Sequence, residues 1–539
     1  MIKFRILLIA AAVLAQPCVG ATGFLRDGDV WVFHGDSITH ADTYRRICER
    51  VFRHYHPDTD VTFVQAGVWG RSSSDLVKRL KSDGHAPTVV SLMLGMNNAI
   101  NGAWVRGRDL TPYLDAYRRD ITAFVREHRE GGAAVVLMSP TLVDETTRNT
   151  VFRLDGANAF LLECGRIVRE VALAEGAFYL PVQEEFEAFQ AALDTQQKLR
   201  PDGVHPAALG QYQIARTLWR HLGFAHPVAD GPRVLTEPPP DWPVTLAADA
   251  RFVPPGAGGL VFTVTWGMES LEAPTTAHWS LGNASGRDTL DAGEPWNWAP
   301  PSGLPALEPG ETTELVVELQ AGSRRRLFLV DLCAVPVLRF TDNVIAGMIR
   351  ADDADSAGRE VATWHLERLG GELVLDVRVA DTSLDASSPW AWARDGLNLF
   401  WDLRPADRFA AINLDTDVHQ TLVNVYDTPF VAAAVRPGLG TGMPLAATAA
   451  AEQTDGGYRV RFRLHADFGL HRPLALAKRD VVGFSLGVTD ATPGERTRFH
   501  DAFPAQRPRD QYANSFPILD LTDRLPDDSV INVHVFPPR

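Results

Sequence analysis

The chain is expected to fold as an α/β domain on a parallel sheet covered by helices on both faces, followed by two β-sandwich modules. Three observations predict this: apolar strand-like runs alternate with helical spacing over residues 27–225, a proline-rich break follows Gly223, and helical periodicity nearly vanishes beyond it. At 539 residues the chain is also too long for one core, so two to four domains are expected.

In order, Val30–Phe33 is a short apolar run that ends beside a glycine, and Tyr44, Ile47, Val51 and Phe52 follow at helical spacing. Val61–Val64 reads as a strand, Leu76 and Leu80 as a helix, and Val89–Leu94 as a third strand. Thr111 and Pro112 make a helix start, with Leu114, Tyr117, Ile121 and Val125 along one face until Gly131-Gly132 stops it. The strand Ala133–Met138, a helix over Ala159–Leu173, the short strand Phe178–Leu180 and a helix through Leu209, Tyr212, Leu218 and Leu222 complete the unit. Strands that are apolar throughout, joined by helices, imply parallel strands buried on both faces.

Pro227, Pro232 and Pro238-Pro239-Pro240 then form a stiff linker. Strands are expected at Val261–Trp266, His278–Leu281, Glu314–Leu319 and Leu327–Leu332, and in a second β unit at Leu373–Val379, Leu397–Trp401, Tyr458–Leu464 and Val481–Val488. The expected division is 1–21, 22–226, 227–245 (the linker), 246–340 and 341–539.

Lys3 and Arg5, the apolar run Ile6–Ala15 and small residues up to Ala21 have the pattern of an export signal, too short to span a bilayer. The rest carries no stretch that reads as a membrane span, so a secreted or periplasmic protein is expected. The net charge of −15 repels phosphate backbones and argues against nucleic acid as a partner. Arg324-Arg325-Arg326 reads as a solvated turn or edge. Outside the signal, Cys48, Cys164 and Cys333 are odd in number and lie in helix or strand patterns, so buried free thiols are expected.

The chemistry-bearing residues come in four pieces, each after a predicted strand or helix boundary. His34-Gly35-Asp36-Ser37-Ile38-Thr39 puts a serine at the end of the first strand, where parallel sheets bind ligands and where the serine N–H can help hold an oxyanion. Gly67-Val68-Trp69-Gly70-Arg71 and Gly95-Met96-Asn97-Asn98 follow the next two strands, and the Gly70 N–H and the Asn97 amide are further oxyanion donors. Asp202-Gly203-Val204-His205-Pro206 supplies an imidazole to take the serine proton and a carboxylate to orient it. Asp36 is read as a structural hydrogen-bonder, and His34, His40, His54 and His56 are candidates by residue type only. No spacing suits zinc or calcium, and no cofactor is expected.

This order of Gly-Asp-Ser, Gly, Gly-x-Asn and Asp-x-x-His resembles the four signature blocks of the SGNH, or GDSL, hydrolases, over about residues 30–223. The resemblance implies a three-layer α/β/α, flavodoxin-like sandwich, with Ser37 as nucleophile, Gly70 and Asn97 as oxyanion donors with the Ser37 N–H, and Asp202 and His205 as acid and base. Asn98 stands where the family has an aspartate, at a position outside the catalytic set. The α/β-hydrolase elbow, Gly-x-Ser-x-Gly, is disfavoured because its last position here is Thr39 and because Asp202 and His205 share one loop.

Residues 340–536 are similar, more loosely, to family 9 carbohydrate-binding modules, through Arg394-Asp395-Gly396-Leu397-Asn398-Leu399-Phe400-Trp401-Asp402 and Gly483-Phe484-Ser485-Leu486-Gly487-Val488. Trp390 and Trp392 are candidate sugar-stacking residues beside it, and Trp296 and Trp298 are aromatic residues of the middle module that read equally as core. Two functions of different class fit: an esterase acting on O-acetylated carbohydrate that its β modules hold, or a carbohydrate-binding protein with a silent hydrolase head. The intact catalytic set favours the esterase. A lipid or thioester substrate is the alternative within the same chemistry.

Overall fold

The computed structural model describes residues 23–78, 84, 86–100, 109–147, 154–193, 198–229, 231–238, 242–250, 252–255, 257–266, 274–291, 294–351, 358–369, 372–381, 395–402, 418–427, 430–435, 447–464, 467–470, 472–475, 481–490, 498–503, 518–520 and 529–536. The expected export signal therefore lies outside the described residues.

The N-terminal region is built from β1 (Asp29–Gly35), α1 (Ser37–His40), α2 (Thr43–Tyr55), β2 (Val61–Gly67), α3 (Ser73–Lys78), β3 (Val89–Met93), α4 (Met96–Asn98), α5 (Thr111–Glu130), β4 (Ala134–Met138), α6 (Ala157–Glu175), β5 (Phe178–Leu180), α7 (Val182–Ala192) and α8 (Ala208–His221). The five strands are parallel in the order β2-β1-β3-β4-β5. Every side chain of β3 is buried, as is all of β1 except half-buried Val30, because helices cover both faces of the sheet. α7 was not expected; only Val182, Gln183 and Phe186 of its residues are buried, too few to show a helical stripe in sequence.

This strand order reverses direction between β1 and β3. Ligands bind outside the carboxyl ends of the strands at such a switch point. Ser37 opens the helix directly after β1, and Asn97 lies in α4, the short helix that follows β3. The connection after β1 depends on Gly35. A Cβ there would lie 2.0 Å from the Thr39 hydroxyl and 2.8 Å from the Met93 carbonyl, so only glycine lets α1 fold back onto the strand ends.

Beyond the linker the described elements are strands, paired antiparallel except where Val337–Arg339 runs parallel to Ile518–Asp520. Three-stranded and larger sheets in the middle region share one hydrophobic cluster, with Val244, Phe262 and Trp298 on one side and Trp279, Leu315 and Phe328 on the other. A second cluster joins Trp364, Leu375 and Phe462 of a five-stranded sheet to Leu399, Trp401 and Phe484 of its neighbour. The strand Arg324–Arg339 links the two regions: it pairs with Thr312–Ala321 on one side, with the final strand Ser529–Phe536 on the other, and through Val337–Arg339 with Ile518–Asp520. The chain thus returns its last strand to the middle region. Arg324 and Arg325 are exposed at the start of this strand, as a solvated edge requires. The N-terminal core continues into Val316, Leu327 and Leu329, where Tyr55 donates a 2.8 Å hydrogen bond to Glu318 and His54 lies 2.8 Å from the Ser280 hydroxyl.

Cys48, Cys164 and Cys333 are buried and outside any disulfide, and burial pushes the Cys48 and Cys164 thiols well above their usual range, which disfavours the reactive thiolate. No helix of the described residues is long and apolar enough to cross a membrane.

Gly35→Ala should lower the urea midpoint, because the added methyl group displaces Thr39 and the Met93 backbone at an overpacking cost of about 1–3 kcal/mol. A midpoint and hydrolytic rate equal to those of the wild type would contradict the close approach at β1.

Candidate active site

Ser37 sits at the start of α1 with its side chain nearly buried. The Asp36 carboxylate caps this short helix by accepting a 2.9 Å hydrogen bond from the Ile38 N–H. Asp202 and His205 lie 165 residues or more along the chain, yet the fold brings the imidazole to the serine: Ser37 Oγ is 3.0 Å from His205 Nε2 and separated from it by 168 positions. His205 Nδ1 is 2.7 Å from Asp202 Oδ2.

The turn that carries these two residues is bound on several sides. Asp202 Oδ1 accepts from the Val204 N–H at 2.8 Å and the His205 N–H at 2.7 Å, which leaves Oδ2 to face the ring. Gly203 donates to the Arg200 carbonyl, Ala207 donates to that of Leu199, and the Asp144 N–H donates to the Gly203 carbonyl at 2.8 Å. Arg200, almost fully buried, pairs with Glu187 of α7. Burial pushes the Asp202 carboxyl upward, but the His205 ring and the two backbone donors outweigh it, so the group is held below its ordinary value and stays ionised. An ionised Asp202 accepts the Nδ1 proton. Nε2 then carries the lone pair that can receive the serine proton.

Asn97 reaches the loop that carries Gly70. Gly70 adopts φ +68°, a left-handed conformation that turns the loop after β2, and the Arg71 N–H closes that turn onto the Val68 carbonyl at 3.2 Å. Asn97 Nδ2 donates to the Arg71 carbonyl at 3.2 Å, while Asn98 accepts from the Ser73 N–H at 3.1 Å and donates to its hydroxyl at 3.0 Å. The loops after β2 and β3 are therefore one bonded unit. It is joined to β1 by the Val68 N–H, which donates to the Gly35 carbonyl at 3.1 Å.

The other histidines separate by position. His34 is buried in β1 against Phe124 and His128, His54 faces Ser280, and His56 lies 2.7 Å from the Phe224 carbonyl. His40 ends α1, with Nδ1 3.1 Å from the Gly67 carbonyl, on the loop side of the site. Trp296 and Trp298 are buried in the middle core against Phe262, which makes them packing residues. Trp390 and Trp392 lie outside the described residues. Sequence reasoning missed Asp144, whose loop after β4 braces the Asp202–His205 turn and which Lys198 neutralises at 2.9 Å. Its place at the carboxyl end of a sheet strand was the available signal.

Burial pushes the Asp36 carboxyl up to about 6, against the pull of the Ile38 N–H and His205. In the unfolded chain it ionises near 3.8, so between these values the folded protein keeps a proton that the unfolded chain has released. Its contribution to stability is therefore full below pH 4, falls as pH rises to about 6, and stays lost above. The amide oxygen of Asp36→Asn can still accept from Ile38 without ionising. The difference in urea midpoint between variant and wild type should move in the variant's favour from pH 4 to pH 7, and a difference independent of pH would contradict the buried carboxyl's cost.

No curated protein matches the chain. Among solved structures, the chain is similar to Axe2, an acetylxylan esterase from Geobacillus stearothermophilus, at 21% identity over 38% of this chain and 100% of that one, with a TM-score of 0.33. It is also similar to LAE5, an alpha/beta hydrolase enzyme from the metagenome of Lake Arreo, Spain, at 21% identity over 38% of this chain and 98% of that one, with a TM-score of 0.33. Residues 33–212 match the GDSL-like Lipase/Acylhydrolase family, and this segment, with its five-stranded parallel sheet and enclosing helices, is a hydrolase of the SGNH type that acts on ester bonds.

Proposed function

We propose that the protein is an exported serine esterase that removes acyl groups, O-acetyl above all, from carbohydrate, with Ser37, His205 and Asp202 as its catalytic residues. The observation that carries the catalytic part is the continuous chain from Ser37 Oγ through the imidazole to Asp202, at 3.0 and 2.7 Å. Both contacts fall within hydrogen-bond reach before any substrate is present.

In this mechanism His205 Nε2 takes the Ser37 proton as Oγ attacks the ester carbonyl. The tetrahedral oxyanion is held by the Ser37 N–H, the Gly70 N–H and the Asn97 amide. His205 returns its proton to the departing alcohol, which leaves an acyl-serine. Water then gives a proton to His205 and attacks the acyl carbon, the bond from that carbon to Ser37 Oγ breaks as His205 returns the proton to Oγ, and the acid leaves with the resting serine restored. Asp202 orients the ring and stabilises the imidazolium in both halves without taking the proton itself.

The carbohydrate part rests on different support: the export pattern at the N-terminus and the similarity of residues 340–536 to carbohydrate-binding modules. Antiparallel sheets that meet in shared cores suit β-sandwich modules of that kind. In this reading they hold the enzyme on a glycan while the N-terminal domain works along it.

Ser37→Ala should abolish hydrolysis of p-nitrophenyl acetate while leaving the urea midpoint close to that of the wild type. Equal turnover by the two proteins would remove the serine from the mechanism. Asp202→Asn keeps the acceptor for the Val204 and His205 amides but no longer holds the imidazole tautomer, so kcat should fall by roughly 10²–10⁴. An unchanged kcat would contradict the role given to the carboxylate. Assays on acetylated xylan, pectin fragments and lysophospholipid separate the substrate classes, and activity confined to the lysophospholipid would refute the carbohydrate assignment while leaving the serine chemistry in place.

A further inference from the structure

Among the described side chains, Trp69 is the one exposed aromatic residue: 56% of it faces solvent, while the other described tryptophans are buried or, for Trp266, half-buried. A chain that encloses its other described indoles leaves this one in water immediately before Gly70. Scattered exposed leucines or valines are ordinary, but a lone exposed indole beside a catalytic loop calls for a reason.

The ring is also fixed in place. It lies 5.2 Å from the His40 imidazole at an interplanar angle of 59°. His40 ends the same short helix that Ser37 begins. Its carbonyl accepts from Gln65 Nε2 at 3.1 Å, and its Nδ1 is 3.1 Å from the Gly67 carbonyl. The loop under Trp69 is pinned by the Val68 and Arg71 amides. Trp69 is therefore a pre-positioned surface, and a ligand that uses it loses little conformational entropy.

The loop that follows it is polar rather than greasy. Ser72, Ser74 and Asp75 follow on the same side of the sequence, with Ser72 Oγ 3.1 Å from Ser74 Oγ and donating to Asp75 Oδ2 at 2.6 Å. A fatty acyl chain gains most from an enclosed apolar trough, whereas an exposed flat aromatic face suits a ligand with one apolar face and a polar edge. A pyranose has that shape: its axial C–H bonds form the apolar face, and its hydroxyls form the rim. It is also uncharged, which suits a chain of net charge −15.

We propose that Trp69 stacks on the sugar ring that bears the ester and so positions its acyl group over Ser37, a specificity role for the alcohol half of the substrate. This inference rests on the carbohydrate-esterase reading above and adds to it the residue that recognises the sugar.

The test compares wild type, Trp69→Ala and Trp69→Phe on acetylated xylooligosaccharide and on p-nitrophenyl acetate, whose alcohol half offers no sugar. Trp69→Ala should raise KM for the oligosaccharide about tenfold with kcat little changed, the scale of one aromatic contact. The ratio of kcat/KM on the two substrates should fall by the same factor, and Trp69→Phe should recover most of it. If the wild type cleaves the oligosaccharide and Trp69→Ala does so with unchanged KM, the stacking role is wrong while the carbohydrate reading stands. If the wild type cleaves p-nitrophenyl acetate but no acetylated sugar, the carbohydrate reading fails and the stacking role with it. An equal loss on both substrates would show that Trp69 only supports the Gly70 loop, and a selective loss on lysophospholipid would make it a lipid contact; either result overturns the proposal.

Discussion

The proposed chemistry depends on one long-range contact, the hydrogen bond that joins Ser37, directly after β1, to His205 in the turn before α8. A free serine hydroxyl is a poor nucleophile, and an imidazole with the wrong tautomer is a poor base. Both problems are solved only if residues 168 positions apart are held about 3 Å from each other, so the rest of the N-terminal domain is scaffolding for that distance. The buried parallel sheet fixes the end of β1. The Asp144 loop, the Arg200–Glu187 pair and the paired backbone donors to Asp202 fix the other partner.

The loops after β2 and β3 are likewise bonded to each other rather than left open. Asn97 and Asn98 reach across to Arg71 and Ser73, and Val68 reaches back to Gly35. Under the proposed mechanism such a bonded unit would hold the Gly70 N–H and the Asn97 amide with little reorganisation during the reaction, which is where most electrostatic catalysis comes from. The β regions act at a greater distance. Their long strand Arg324–Arg339 and the returning final strand Ser529–Phe536 tie them together, and Tyr55, His54 and the cluster around Val316 tie them to the N-terminal domain.

Much of the N-terminal domain was legible in sequence because its strands are buried on both faces and so read as unbroken apolar runs, β3 being the plainest case. α7 was not legible, since a helix that buries only three residues shows no periodic stripe. The meeting of Ser37, His205 and Asp202 was readable through the order of the four motifs, yet nothing local in the sequence says that Asp144 braces the last turn. That role exists only because β4 ends beside it in space. Trp69 was visible as a letter in the loop, but its exposure is a property of the packed fold, and no neighbour in sequence distinguishes it from the buried tryptophans. Trp296 and Trp298 also read as core in sequence, and the fold encloses them.

The most direct measurement of the central claim is covalent trapping of the nucleophile. Treatment of the full chain with a fluorophosphonate, followed by peptide mapping, should yield a single adduct on Ser37, and His205→Ala should react far more slowly at the same serine because its proton has no acceptor. An adduct on another residue, or labelling of Ser37 at the same rate without His205, would contradict the account of this site as a base-activated serine.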